Sequence, residues 1–212
     1  ALEQATAPLY NRAWFDLNSR AIVPLGSNRA NDNFSRWGAP EFTNFKVTAL
    51  SENLANAWTG FYSVITMANA VISDVQTKCS NSVSERAKRT AIAEARLMRA
   101  CAYFYMVRLW GPVIIIEAND KVVANPMQPL HREEDVLELV IRDLTYAVEN
   151  LPEVATAKGR VNAWGAKGML AKVYLARSGW KGGTRDNADL EKAKELAADV
   201  INNSGISLYE NY

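Results

Sequence analysis

The sequence predicts an all-α fold built from helices paired through short or moderate loops. Three observations carry this expectation. Apolar residues recur at helical spacing in successive segments of the 212-residue chain. One segment, EARLMRACAYFYMVRLWGPV at 94–113, is apolar on two faces, as a helix covered from two sides must be. Laying residues 95–111 over 164–180 brings Ala102, Tyr105 and Arg108 onto Ala171, Tyr174 and Arg177, an offset of 69 (171 − 102). That offset is about twice the ~34-residue tetratricopeptide period, so the expected architecture is a tetratricopeptide-like helix-turn-helix array, an α-α superhelix.

The elements follow in order. Residues 3–18 form a first helix, with Leu9, Ala13 and Leu17 near one face and Pro8 weakening its first half. Residues 19–48 are rich in Asn, Gly and Pro and lack a helical period, so they read as a long N-terminal loop, a feature often functional in compact domains. The second helix runs from about Ser51, a suitable N-cap, to Thr77, with Leu54, Trp58, Phe61, Ile65, Ala68 and Ile72 in phase. The third starts near Ser84. Ala91, Ala95, Met98, Ala102, Tyr105 and Leu109 form one apolar face, and Leu97, Cys101, Phe104 and Val107 form another. The remaining stripe is Arg89, Arg96, Arg99 and Tyr103, and Gly111 and Pro112 stop the helix. VIII at 113–116 is a short extended piece, and 117–131 is a polar connection. Helices over 132–150, 162–178 and 188–203 complete the chain, the first with Glu133, Glu134 and Asp135 at its positive end.

Composition narrows the function. A net charge of +1 gives no electrostatic case for nucleic acid. No uninterrupted apolar run is long enough to span a bilayer, and ALEQATAPLY has no signal-peptide character. Cys79 falls near a turn and Cys101 roughly 17 residues along the next helix, ~25 Å away at 1.5 Å per residue, too far for a disulfide. There is no H-E-x-x-H, no C-x-x-C and no phosphate-cradling order in GWKGGT, so no metal or cofactor is expected. Carboxylates are plentiful, but nothing marks the pair that glycoside hydrolysis needs. His131, the only histidine, suits a place at a helix start better than catalysis. Arg96 and Arg99 are expected to pair with carboxylates of neighbouring helices, with Glu94 and Asp143 the candidates.

Five stretches, in order, resemble one family. WTGFYSVITMANAVI is similar to W-x-x-x-Y-x-x-I-x-x-A-N. AEARLMRACAYFYMVRLWGPVIII is similar to E-A-R-F-x-R-A-x-x-Y-F-x-L-V-x-x-Y-G-x-V-P. REEDVLELVIRDLTYAVENLP, GRVNAWGAKGMLAKVYLARSGW and LEKAKELAADVINNSGISLYENY resemble the segments that follow. The chain thus resembles SusD/RagB-type outer-membrane proteins of Bacteroidetes across residues 58–212. The resemblance implies a non-catalytic, lipid-anchored protein on the external face of the outer membrane. It implies binding of a glycan or other nutrient and delivery to a TonB-dependent, SusC-like transporter. It also implies that the chain is one N-terminal helical domain, that the family's C-terminal portion is absent, and that the anchor cysteine lies before Ala1. WGPVIII departs from the usual Y-G-x-V-P, so the path past the third helix is expected to differ.

A glycan site needs flat aromatics for sugar faces and polar groups for hydroxyls. NRANDNFSRWG at 28–38 concentrates both, and in the resembling family the loop before the W-x-x-x-Y helix contributes ligand contacts. Asp32, Asn33, Arg36 and Trp37 are the candidate ligand residues, with Trp37 stacking and the others bonding hydroxyls. Against this stands a plain packing role for Trp37 and Phe34. The competing functions are a tetratricopeptide-type adaptor that binds peptide in its groove and a helical glycoside-processing enzyme.

Overall fold

The computed structural model describes residues 2–11, 18–30, 32, 40–180 and 182–207. Its α-helices are α1 (Leu2–Thr6), α2 (Pro40–Thr43), α3 (Glu52–Lys78), α4 (Glu85–Trp110), α5 (Asn119–Ala124), α6 (Glu133–Asn150), α7 (Ala163–Ser178) and α8 (Asn187–Asn203). The long helices pack in series, α3 on α4, α4 on α6, α6 on α7 and α7 on α8. This is the predicted array, with α4 as the inner helix. Extended pairing among the described residues is limited to one antiparallel bridge, Val113 with His131.

Local chemistry sets the helix ends. The Ser84 hydroxyl accepts the Ala87 N–H at 3.3 Å, Asn162 accepts the Gly165 N–H at 2.8 Å, and Asp186 accepts the N–H groups of Ala188 and Asp189. Gly111 ends α4 at φ +73°, where its N–H reaches the Val107 carbonyl at 3.0 Å. A Cβ on Gly111 would sit 2.8 Å from Glu133 Oε1, a flexible carboxylate that can move aside, so it is the positive φ that favours glycine here. Ser51 differs from expectation. It holds the N-cap position of α3, but its hydroxyl accepts the Thr48 N–H at 3.1 Å, outside the helix.

Three sequence expectations need correction. The first helix stops at Thr6. A 3-10 turn, Ala7–Tyr10, carries Pro8, which has no N–H for a continuing α-helix. The 19–48 segment is not a plain loop. Wide π-helical turns over Asn18–Asn28 accommodate Pro24 and bury Leu25, and α2 buries Phe42. The 117–131 connection contains α5. The arginine–tyrosine stripe of α4 is also partly internal, because Arg99 and Tyr103 are buried.

Arg99 is the hub of that buried stripe. Its Nε and Nη2 reach the two Asp143 carboxylate oxygens at 2.7 and 2.9 Å, and its Nη1 reaches Asn69 Oδ1 at 2.7 Å. Arg96 lies 3.8 Å from the same carboxylate and stacks on Tyr146. Glu94 pairs elsewhere, accepting from Arg160 at 2.8 Å. Arg160 also donates to the Thr6 hydroxyl and the Glu3 carbonyl, docking α1.

From Asn69 the network continues to the extended segment 113–116. Asn69 Nδ2 donates to the Ile116 carbonyl at 2.8 Å, and the Tyr103 hydroxyl accepts the Ile116 N–H at 2.7 Å. The Tyr62 hydroxyl accepts the Ile114 N–H at 3.0 Å and donates to the Ile114 carbonyl at 2.8 Å. His131 Nδ1 accepts the Ile115 N–H at 3.1 Å. Side chains thus satisfy a backbone that has little strand pairing of its own. Both cysteines are free thiols, and burial pushes the Cys101 thiol up to about 12.

Two outcomes are expected. Arg99→Ala leaves Asp143 and Asn69 buried without their partner and lowers unfolding free energy by about 3–5 kcal/mol in urea titrations. Arg99→Met combined with Asp143→Leu recovers most of that loss. Burial also raises the Tyr62 hydroxyl to about 12, and Tyr103 is raised by the same cause. A raised folded-state value favours the neutral phenol, so this stability is present below about pH 10 and is lost as pH climbs through 12. Urea midpoints measured between pH 8 and 11.5 fall with pH, and Tyr62→Phe flattens the fall.

Candidate functional site

The stretch carrying the sequence-predicted ligand residues is anchored at both ends. Before it, Leu25 enters the core and Asn28 is 1% exposed. After it, Phe42 is buried in the same core. The Arg29 guanidinium lies over the Phe45 ring at 4.7 Å from its centroid, so a cation–π contact clasps residue 29 to residue 45. The Asp32 N–H donates to the Ser27 carbonyl at 3.3 Å, and Asp32 itself is exposed. Asn33, Arg36 and Trp37 lie outside the described residues. The four candidates are therefore not seen together as a site, and what is visible is the base on which their segment stands.

That base has two unusual features. Asn28 Nδ2 and Oδ1 are buried without a hydrogen-bond partner among the described residues. Phe45 has φ +57°, the only positive value at a non-glycine position among the described residues. Neither was legible in the sequence. An orphaned amide and a left-handed phenylalanine leave no periodic signal.

Among the described residues, two of the recesses lie elsewhere and carry tryptophan in their walls. One, about 640 Å³, opens between α3 and residues 114–116 and is lined by Trp58, Tyr62 and Met67 with the hydroxyls of Thr59, Ser63 and Thr66. Its aromatic wall is braced from within. Trp58 meets Tyr62 at 5.0 Å and Trp110 edge-on at 5.4 Å, and Phe61 meets Trp110 edge-on at 5.9 Å. The other, about 540 Å³, lies where α6 begins and α7 ends, lined by Glu134, Glu138, Arg177, Trp180 and Arg185. Trp180 donates its indole N–H to Glu133, and Arg177 is held by both oxygens of Asp189. These recesses offer stacking and hydrogen bonding. Among the described residues no three His, Cys, Asp or Glu side chains converge on a metal position, and no helix is long and apolar enough to cross a membrane.

Comparison with known proteins places this geometry. A family model described as "Starch-binding associating with outer membrane", SusD-like, matches residues 3–175. A SusD-like protein of Bacteroides ovatus is 66% identical over the whole chain, which covers 39% of that relative. A crystal structure with xylogluco-oligosaccharide is 64% identical and superposes with a TM-score of 0.90, over 99% of this chain and 42% of that one. A laminarin-binding SusD-like protein, 21% identical, shares the fold with a TM-score of 0.78 over all of this chain and 46% of its own. The chain spans about two fifths of the length of such relatives. Over that span, with its inner helix, its Arg99 network and its helix order, the chain belongs to the SusD-like family.

Proposed function

We propose that this chain is the helical part of a cell-surface protein that binds an oligosaccharide of the xyloglucan type and passes it, unaltered, to a TonB-dependent, SusC-like transporter. The observation that carries the reading is the 64% identity, over 99% of the chain, to a protein solved with xylogluco-oligosaccharide. The clasped segment supports the location. Leu25 and Phe42 are held in the core on either side of it, and Arg29 lies over Phe45, so part of its ordering cost is already met. Trp37 stacks on a sugar ring, and Asp32, Asn33 and Arg36 bond hydroxyls. Attachment to the external face of the outer membrane is through a lipid anchor upstream of Ala1.

Calorimetric titration of xylogluco-oligosaccharide into the folded chain tests this. Binding is expected, and Trp37→Ala weakens it at least about tenfold, equivalent to ~1.4 kcal/mol. A folded wild-type chain that takes up no oligosaccharide sinks the reading. Unchanged affinity in Trp37→Ala removes Trp37 from the site.

A further inference from the structure

We propose that Phe45 is a second stacking platform for the oligosaccharide, oriented by Arg29. This rests on the glycan-binding reading and adds a residue to it from outside the 28–38 stretch. Phe45 is 61% exposed, whereas every other described aromatic side chain is buried or half-buried in the helical body. Exposure of that size leaves much of a large apolar ring in water, with the Arg29 guanidinium as its packing partner. The backbone adds to the cost. At φ +57° a side chain crowds its own carbonyl, and glycine or asparagine is the inexpensive choice. Local strain of this kind clusters at binding sites, where the surroundings hold a side chain in one presentation.

The position is also suited to the task. Backbone bonds fix the turn beneath the ring, from Asn44 N–H to the Pro40 carbonyl at 2.9 Å and from Lys46 N–H to the Glu41 carbonyl at 2.8 Å. The Arg29 guanidinium covers one ring face at 4.7 Å. The exposed area therefore belongs to the opposite face and the ring edge, the surface against which the C–H face of a pyranose packs. Arg29 also brings a fork of N–H donors beside that surface, the chemistry that grips sugar hydroxyls.

The test is xylogluco-oligosaccharide titration of wild type, Phe45→Gly, Phe45→Tyr and Trp37→Ala, with thermal unfolding of each. Phe45→Gly removes the ring and relieves the positive φ, so it unfolds at or above the wild-type temperature while affinity falls about tenfold. Phe45→Tyr stays within about twofold of wild type. In the wild-type complex, nuclear Overhauser contacts link the Phe45 ring protons to sugar C–H protons. Wild-type affinity in Phe45→Gly, with Trp37→Ala weakened, overturns the platform and leaves the glycan reading intact. Absence of the ring–sugar contacts in a saturated wild-type complex overturns it as well, even if a variant misfolds. Absence of binding by folded wild type overturns both.

Discussion

A single buried guanidinium fixes the register of the array. Arg99 is 3% exposed and Asp143 fully buried, so both charges have left water, at several kcal/mol each. The two-oxygen fork to Asp143 and the third bond to Asn69 offset that cost, with Arg96 adding a second cation 3.8 Å from the carboxylate. A lysine would supply one point charge and could not span both partners. The three residues sit on α6, α4 and α3, so sliding any of these helices by one turn breaks the set. Apolar packing alone would tolerate such slips far better. The ion pair selects one arrangement among several of similar hydrophobic content.

The same network explains why this chain announces its family so clearly and its ligand so poorly. Tyr62 and Asn69 of the W-x-x-x-Y-x-x-I-x-x-A-N stretch bond the backbone of residues 114 and 116. Glu94, Arg99 and Tyr103 of the signature helix are all spent inside the protein, on Arg160, on Asp143 with Asn69, and on Ile116. The residues that identify the fold are therefore those that hold it together. The proposed ligand residues lie in a segment with no such pattern, outside the bonds that hold the array.

Legibility in the sequence divides along this line. The long helices lie within one residue of their expected limits, because amphipathic spacing and caps are local. The Arg99–Asp143 pair was among the expected contacts, since a charged residue on a doubly apolar helix must find a partner. The turns over Asn18–Asn28 were missed because a wide helix around Pro24 has no 3.6-residue period. The Tyr62 bonds to residue 114 were missed because the two lie 52 residues apart, and spacing says nothing about contacts that distant. His131 was expected at a helix start. It stands there, but its ring serves Ile115. At the candidate site the sequence pointed to aromatic and amide content between 28 and 38. The Arg29–Phe45 clasp joins residues with no shared periodicity, and only the folded backbone brings them together.

Arg160 binds Thr6 and Glu3 across 154 and 157 residues of chain. Its neighbour Val161 donates its N–H to the Tyr10 hydroxyl. During synthesis at about 5–20 residues per second, the N-terminal turn emerges roughly 8–30 s before the residue that fastens it. The helices from α3 to α6 can pair in that interval, because their partners are adjacent in sequence. The turns over Leu2–Tyr10 are thus secured only once Arg160 and Val161 have been made. A polypeptide interrupted before Arg160 would hold α3, α4 and α6 but leave the Leu2–Tyr10 turns unfastened, open to any protease or chaperone that scans loose segments.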